Sequence, residues 1–220
     1  MARLKAIARK QPNLEIYGPT PSVTKVFLEA GFAYARVVPY PISQPGTPEA
    51  GLAQPFRHVL FAGAARTDKG FAHVVDLVEH MHRDGLRIPV VLQTSPEQAG
   101  KYDAAIRADL KRLGEIGYPH LRIHSETLDP AQYADLFRGA ICLQLYDAAA
   151  FADRISGVTL DAFSHGSPVI STPGSWIARM VERFGAGSIV GDTSPDSVLH
   201  AVQQQIAGYA GYAQCATAAG

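Results

Sequence analysis

Arg66 and Lys69 stand three residues apart in the stretch GAARTDKG, bracketed by Gly63 and Gly70. The stretch follows the β-rich run RHVLFAG and precedes an amphipathic segment, so it is a strand-to-helix turn. Gly63 lets the chain leave the strand sharply, and the two cations then project beside a helix start. Free amides and the helix dipole add to the charges there, which makes an anion site with phosphate or diphosphate as its natural ligand. A solvated loop with a helix-flanking Lys-Gly is the plain alternative. The stretch lacks the Gly-x-Gly-x-x-Gly fingerprint, and the next strand ends in Gln93-Thr94 with no acid for a ribose, which argues against an NAD enzyme. The Gly-Lys-Ser/Thr of a triphosphatase loop is absent too.

A second stretch, FADRISGVTLDAFSHGSPVIS, holds two carboxylates eight positions apart, Asp153 and Asp161. Ser156 has the type and position of a helix N-cap, and Gly157 lets a ligand approach the amides of Gly157 and Val158. Asp153 then lies in the loop before the helix and Asp161 one turn inside it, among Val158, Leu160, Ala162 and Phe163. A buried carboxylate needs a hydrogen-bond partner, which is either a ligand hydroxyl or a group of the protein itself.

The remaining candidates are weaker. His80 and His82 are two apart and do not share a helix face, so no metal site is expected from them. Ser167 in HGSPV is followed by proline, which rules out a nucleophile elbow. Cys142 lies in an apolar strand and Cys215 in a small-residue tail, so no disulfide framework is expected. Trp176 reads as a packing residue.

These residues need a scaffold, and the sequence specifies one. From about residue 57, six apolar β-rich runs (RHVLFAG, IPVVLQT, LRIHS, AICLQLY, SPVIS, SIVGD) alternate with helical segments near 69–84, 100–116, 130–138, 156–165, 175–184 and 195–207. The runs are too apolar to alternate, as strands buried on both faces of a parallel sheet are. Asp129-Pro130 and Ser194-Pro195 mark two helix starts. The expected class is α/β: a Rossmann-like three-layer domain with a parallel sheet of about six strands. Ligands of such sheets bind outside the carboxyl ends of the strands, and every polar cluster above falls at one. Residues 1–45 read differently, as a strand, a Pro/Thr loop, a helix ending near Gly31 and a second strand, followed by the linker SQPGTPEAGLAQP. They are expected to be the remnant of a preceding domain, with the main domain at 46–207 and a frayed tail at 208–220.

The 220 residues are 47% apolar and 18% charged, with 20 Lys plus Arg against 20 Asp plus Glu. No net field draws the chain to nucleic acid. No apolar run approaches the roughly 20 residues of a membrane span, and the start has no signal-peptide h-region. A reduced, cytoplasmic setting is expected, with a peripheral position at the inner membrane face as the alternative.

With these residues in view, the chain from about Val37 to Ile206 resembles the C-terminal, donor-binding domain of retaining glycosyltransferases of the GT-B fold, of the group 1 or family 4 kind. Gly63, Arg66, Lys69 and Gly70 match that family's Gly-x-x-Arg and Lys-Gly elements. Asp153, Asp161 and HGSPVIS match its two acids eight apart and its small-Gly-x-Pro-Val-Ile strand, with Asp where the family usually has Glu. Ser156 stands where a glycine is common. The resemblance implies a nucleoside diphosphate sugar, such as a UDP- or GDP-sugar, as donor substrate and partner. No cofactor and no metal are implied. Arg66 and Lys69 would hold the diphosphate together with Gly63 and the amides at Ser156, Gly157 and Val158. Asp161 would bind the ribose, and Asp153 would contact the donor sugar, making Asp153, Arg66 and Lys69 the catalytic set. Glu126 and Thr127 in SETLDP fall where the nucleobase often sits. Such enzymes have two Rossmann-like domains, so the acceptor would be held by an N-terminal domain of the same longer chain, and this piece by itself would be inactive. A sugar-nucleotide 2-epimerase fragment and a non-catalytic nucleotide-sugar-binding domain are the alternatives.

Overall fold

The computed structural model describes residues 1–38, 54–94 and 102–220. The chain divides into two compact units, Met1–Ser43 and Gln44–Gly220. Most of the expected linker lies outside the described residues, as do most of TSPEQ after the second strand of the main sheet and the start of the helix expected at 100–116.

The first unit runs α1 (Ala2–Lys10), β1 (Glu15–Gly18), α2 (Pro21–Glu29) and β2 (Tyr34–Val37). Thr20 caps α2 by accepting from the Val23 amide at 3.4 Å, and Pro21 supplies the pre-set φ of its first turn. The two strands pair in parallel, Glu15 opposite Tyr34 through Gly18 opposite Val37. A small core of Ala8, Ala30 and Phe32 packs with Leu4, Ile16 and Phe27. The helix α1 has no counterpart among the sequence expectations, because four cations in nine residues mask its short apolar stripe. Of the ten large apolar side chains exposed among the described residues, all but Ile123 lie in this unit, so it buries little of its own apolar surface.

The second unit is the expected three-layer α/β domain. In chain order it comprises β3 (His58–Ala62), a 3-10 turn (Thr67–Lys69), α3 (Phe71–Arg83), β4 (Val90–Gln93), α4 (Ala104–Ile116), β5 (Leu121–His124) and α5 (Pro130–Phe137). It continues with β6 (Ala140–Gln144), α6 (Gly157–Ser164), β7 (Val169–Ser171), α7 (Trp176–Phe184), β8 (Gly187–Ile189), α8 (Pro195–Ala207) and α9 (Tyr209–Ala219). The six strands are all parallel, in the order β5-β4-β3-β6-β7-β8. Every residue of β3 and β6 is buried, which explains why their sequences do not alternate. Val59, Phe61, Val90 and Leu92 face α3, α4 and α8, while Leu60, Ala62, Val91 and Cys142 face α5, α6 and α7. Side-chain caps start the helices where the sequence placed them: Asp129 with Gln132 forms a capping box on α5, and Ser156, Ser175 and Ser194 cap α6, α7 and α8.

One expectation is corrected. The tail at 208–220 does not fray but forms α9, which buries Tyr209, Ala213 and Ala216 and packs chiefly on α6. Alanine is the strongest helix former, and the spacing of these three puts one small face against the domain. The Tyr209 hydroxyl donates to the Ala140 carbonyl at 3.1 Å, pinning the helix start to β6.

Candidate functional site

The strand order reverses direction at β3, whose neighbours are β4 on one side and β6 on the other. The chain leaving β3 turns toward one face of the sheet and the chain leaving β6 toward the other, opening a crevice at their carboxyl ends. Both chemical stretches named above line this crevice.

On the β3 side, Gly63 has φ +100 and donates its amide to Gln93 Oε1 at 2.8 Å. A Cβ at Gly63 would stand 2.7 Å from Lys69 Nζ and 3.8 Å from Val158 Cγ2. Gly63 is therefore needed twice: for its backbone conformation, and because the ammonium folds back over it toward the first turn of α6. Lys69 Nζ also lies 5.6 Å from the centroid of the fully buried Tyr146 ring. Burial depresses the Lys69 pKa, and the neighbouring positive charges of Arg66 and Arg154 lower it further against the pull of Asp68. At Gly70, with φ +67, a Cβ would fall 2.0 Å from the Leu145 carbonyl oxygen. The Asp147 amide donates to the Asp68 carbonyl at 2.9 Å. The loops after β3 and β6 are thus joined through their backbones.

On the β6 side, the Ser156 hydroxyl accepts from the Thr159 amide at 3.3 Å, so it is engaged in the cap, and the first-turn amides of Gly157 and Val158 have no intrahelical acceptor. Thr159 Oγ1 donates to Gln144 Oε1 at 2.6 Å, which ties α6 to the end of β6. A Cβ at Gly157 would meet nothing within 4 Å, so the approach to these amides is open.

The carboxylate in the apolar helix has a partner. The Tyr133 hydroxyl of α5 donates to Asp161 Oδ2 at 3.0 Å. Burial raises the Asp161 pKa, opposed by that hydrogen bond and by His165. Burial also raises the Tyr133 pKa, with the Asp161 charge adding to it, so the phenol remains the donor. Asp153 is placed differently. It is exposed and pairs with Arg179 of α7 at 3.4 Å, while Arg179 also donates to the Ala152 carbonyl at 2.5 Å. The two aspartates, eight apart in sequence, engage different partners. Glu126 and Thr127 are exposed in the β5–α5 loop. Glu126 borders a cavity of about 360 Å³ with Arg122, His124, Leu128 and Gln132, and Thr127 is outside that lining. A larger cavity of about 440 Å³ lies between the β3–α3 turn and the start of α4, with Arg66, Asp68 and Asp103 in its walls.

Arg66 forms an ion pair with Asp68. Arg154, from the β6–α6 loop, approaches the same carboxylate at 3.6 Å and lies 4.8 Å from the Phe151 ring centroid. Gly63, Lys69 and Val158 are therefore brought together, Arg66 stands beside them with Arg154, Asp161 sits deeper along α6, and Asp153 and Glu126 lie apart. The sequence reading missed both Arg154, whose one signal is a cation between the two aspartates in DRISGVTLD, and Tyr133, which in PAQYADLF reads as an ordinary core aromatic. Among the described residues, no group of three or more His, Cys, Asp or Glu side chains is placed to hold a metal ion. No described helix is long and apolar enough to cross a membrane.

Neither a protein-family model nor a curated protein matches the sequence. Solved structures do. Anabaena HepE in complex with UDP and glucose is similar at a TM-score of 0.63 and 14% identity, over 99% of this chain and 61% of that one. Sucrose-phosphate synthase from Thermosynechococcus elongatus gives 0.61 and 17%, over 99% of this chain and 55% of that one. The C-terminal domain of a glycosyl transferase group 1 family protein, LpcC from Francisella tularensis, gives 0.55 and 15%, over 76% of this chain and 85% of that domain. The chain spans 61% and 55% of the lengths of the first two proteins. At these identities the likeness is one of fold, and the fold is that of a GT-B glycosyltransferase domain, the Gln44–Gly220 unit having the architecture of a Rossmann-like half.

Proposed function

We propose that the Gln44–Gly220 unit binds the nucleoside diphosphate sugar donor of a retaining, metal-independent glycosyltransferase. The observation that carries this reading is the convergence of Lys69 Nζ, Gly63 and the open first turn of α6 at the β3/β6 crevice. Breaking the anomeric C–O bond leaves negative charge on the departing diphosphate. A half-buried ammonium and free helix amides, fixed before the reaction, stabilise such a charge without reorganising. Lys69 and the amides of Gly157 and Val158 take that role, with Arg66 at the outer side. Asp161, its Oδ2 already bonded to Tyr133, accepts from a ribose hydroxyl with its remaining capacity. Asp153 contacts the donor sugar, which requires it to leave Arg179. Glu126 and Thr127 border the nucleobase end.

The acceptor is held by an N-terminal domain, of which Met1–Ser43 is the closing part; its exposed apolar side chains support that reading. The intact enzyme works in the cytoplasm, and the present chain without its acceptor domain turns over no substrate. HepE's complex with UDP makes UDP the first probe. Calorimetric titration of the 220-residue chain with UDP, GDP and ADP tests the reading. One of the three is expected to bind, and Lys69→Ala is expected to weaken it by at least about tenfold, or 1.4 kcal/mol. Failure of all three to bind overturns it.

A further inference from the structure

Among the described residues, Asp68 is the one carboxylate that meets cations from both walls of the crevice. It pairs with Arg66 on its own β3–α3 turn and with Arg154, at 3.6 Å, from the β6–α6 loop. Its side chain is only 25% exposed, and its second oxygen, Oδ1, is buried without a hydrogen-bond partner. Its backbone is fixed as well, since the Asp68 carbonyl accepts from Asp147. The Arg154 guanidinium rests on the Phe151 ring, and that ring packs 4.6 Å from Tyr146, the residue beneath Lys69. A flexible surface arginine is thereby held at one place, two residues ahead of the Ser156 cap.

We propose that Arg154 is a third cation of the diphosphate site, and that Asp68 is the positioning residue that holds Arg66 and Arg154 toward it from opposite walls. The proposal rests on the donor-binding reading above and adds a residue that neither the phosphate-loop pattern nor the paired-acid pattern assigns. Charge balance supports it. Lys69, Arg66 and Arg154 against Asp68 leave two positive charges, matching a diphosphate diester whose two phosphoryl groups each carry one negative charge at neutral pH. Geometry supports it too, because guanidinium groups bind phosphoryl oxygens through paired N–H donors, and one supplied by each loop would bridge the crevice over the ligand.

The test titrates wild type, Arg154→Ala, Arg154→Lys and Lys69→Ala with UDP, GDP and ADP and with the nucleoside of whichever binds. Arg154 is 51% exposed, and melting curves will show that its variants fold. Arg154→Ala is expected to weaken the nucleoside diphosphate by about tenfold and leave the nucleoside unchanged, with Arg154→Lys recovering part of the loss. If Lys69→Ala weakens binding but Arg154→Ala does not, this proposal fails while the donor-binding reading stands. Equal losses for diphosphate and nucleoside would mean that Arg154 only supports the loop, which also overturns it. If no nucleotide binds the wild type, both fall together.

Discussion

Lys69 occupies a place where an ammonium ion is poorly solvated, between a bare glycine and a buried phenol. Its pKa is lowered from 10.5, first by burial and then by Arg66, so between that lowered value and 10.5 the unfolded chain binds the proton that the native chain releases. Stability therefore rises with pH across that window, and below it the cost of burying the charge is fully present. Lys69→Met is expected to raise the melting temperature at neutral pH, by about 2–4 °C for each kcal/mol relieved, while weakening diphosphate binding by at least about tenfold. Nucleotide affinity of the wild type should fall as pH rises through the same window, and that of Lys69→Met should stay flat; calorimetry in a pH series reads both. Asp161 makes the complementary case. Its folded pKa is raised from 3.8 by burial, so stability falls as pH rises through it, and removing the charge relieves the protein at neutral pH. Asp161→Asn retains an oxygen for Tyr133 and is expected to melt at or above the wild-type temperature while binding nucleotide less well. A lower melting temperature with unchanged binding would make Asp161 a structural partner of Tyr133 and nothing more.

At the scale of elements, the candidate site is the first turn of α6 facing the turn after β3, and each was legible to a different degree. GAARTDKG is a local pattern: the glycine, the cations and the following helix lie within eight residues, so their juxtaposition needs no long-range information. The capping of α6 by Ser156 was equally local. The Arg154–Asp68 and Tyr133–Asp161 pairs join different βα units, and only the strand order brings them together. The small-residue helix α9 escaped for another reason, because Ala and Gly give almost no polarity contrast from which to read a period. The Gly157 position offers an element-level test. A Cβ there meets nothing in the protein, and alanine is the better helix former, so Gly157→Ala is expected to leave the melting temperature unchanged or higher. If the α6 amides receive a phosphate, the same methyl group should lower nucleotide affinity by about tenfold, or 1.4 kcal/mol. Unchanged affinity would remove α6 from the site.

For the whole molecule, the three-layer architecture and the parallel sheet were legible because they depend on a pattern repeated six times, which tolerates errors at any one repeat. The boundary of the core was not, since α9 adds a further helix behind α6. Tyr209 is its anchor, 6% exposed, hydrogen-bonded to Ala140 and in edge contact with Phe56. Tyr209→Ala is expected to cost roughly 3–5 kcal/mol, and Tyr209→Phe only about 1 kcal/mol, as measured by chemical denaturation. A small loss for the alanine variant would mean that α9 is dispensable to the fold.

The pairing of β3 with β6 sets His58 opposite Ala140, strands separated by two complete βα units of chain. Closing so long a loop is slow and costs entropy before any contact rewards it. The crevice cannot exist in a partly made chain, since its second wall is encoded after the first has already left the ribosome. A nucleotide bound there as proposed would therefore play no part in guiding early folding, and its stabilisation would be confined to the finished domain. Bound ligand should accordingly slow hydrogen exchange at the β3 and β6 amides, which open only when the entire sheet does.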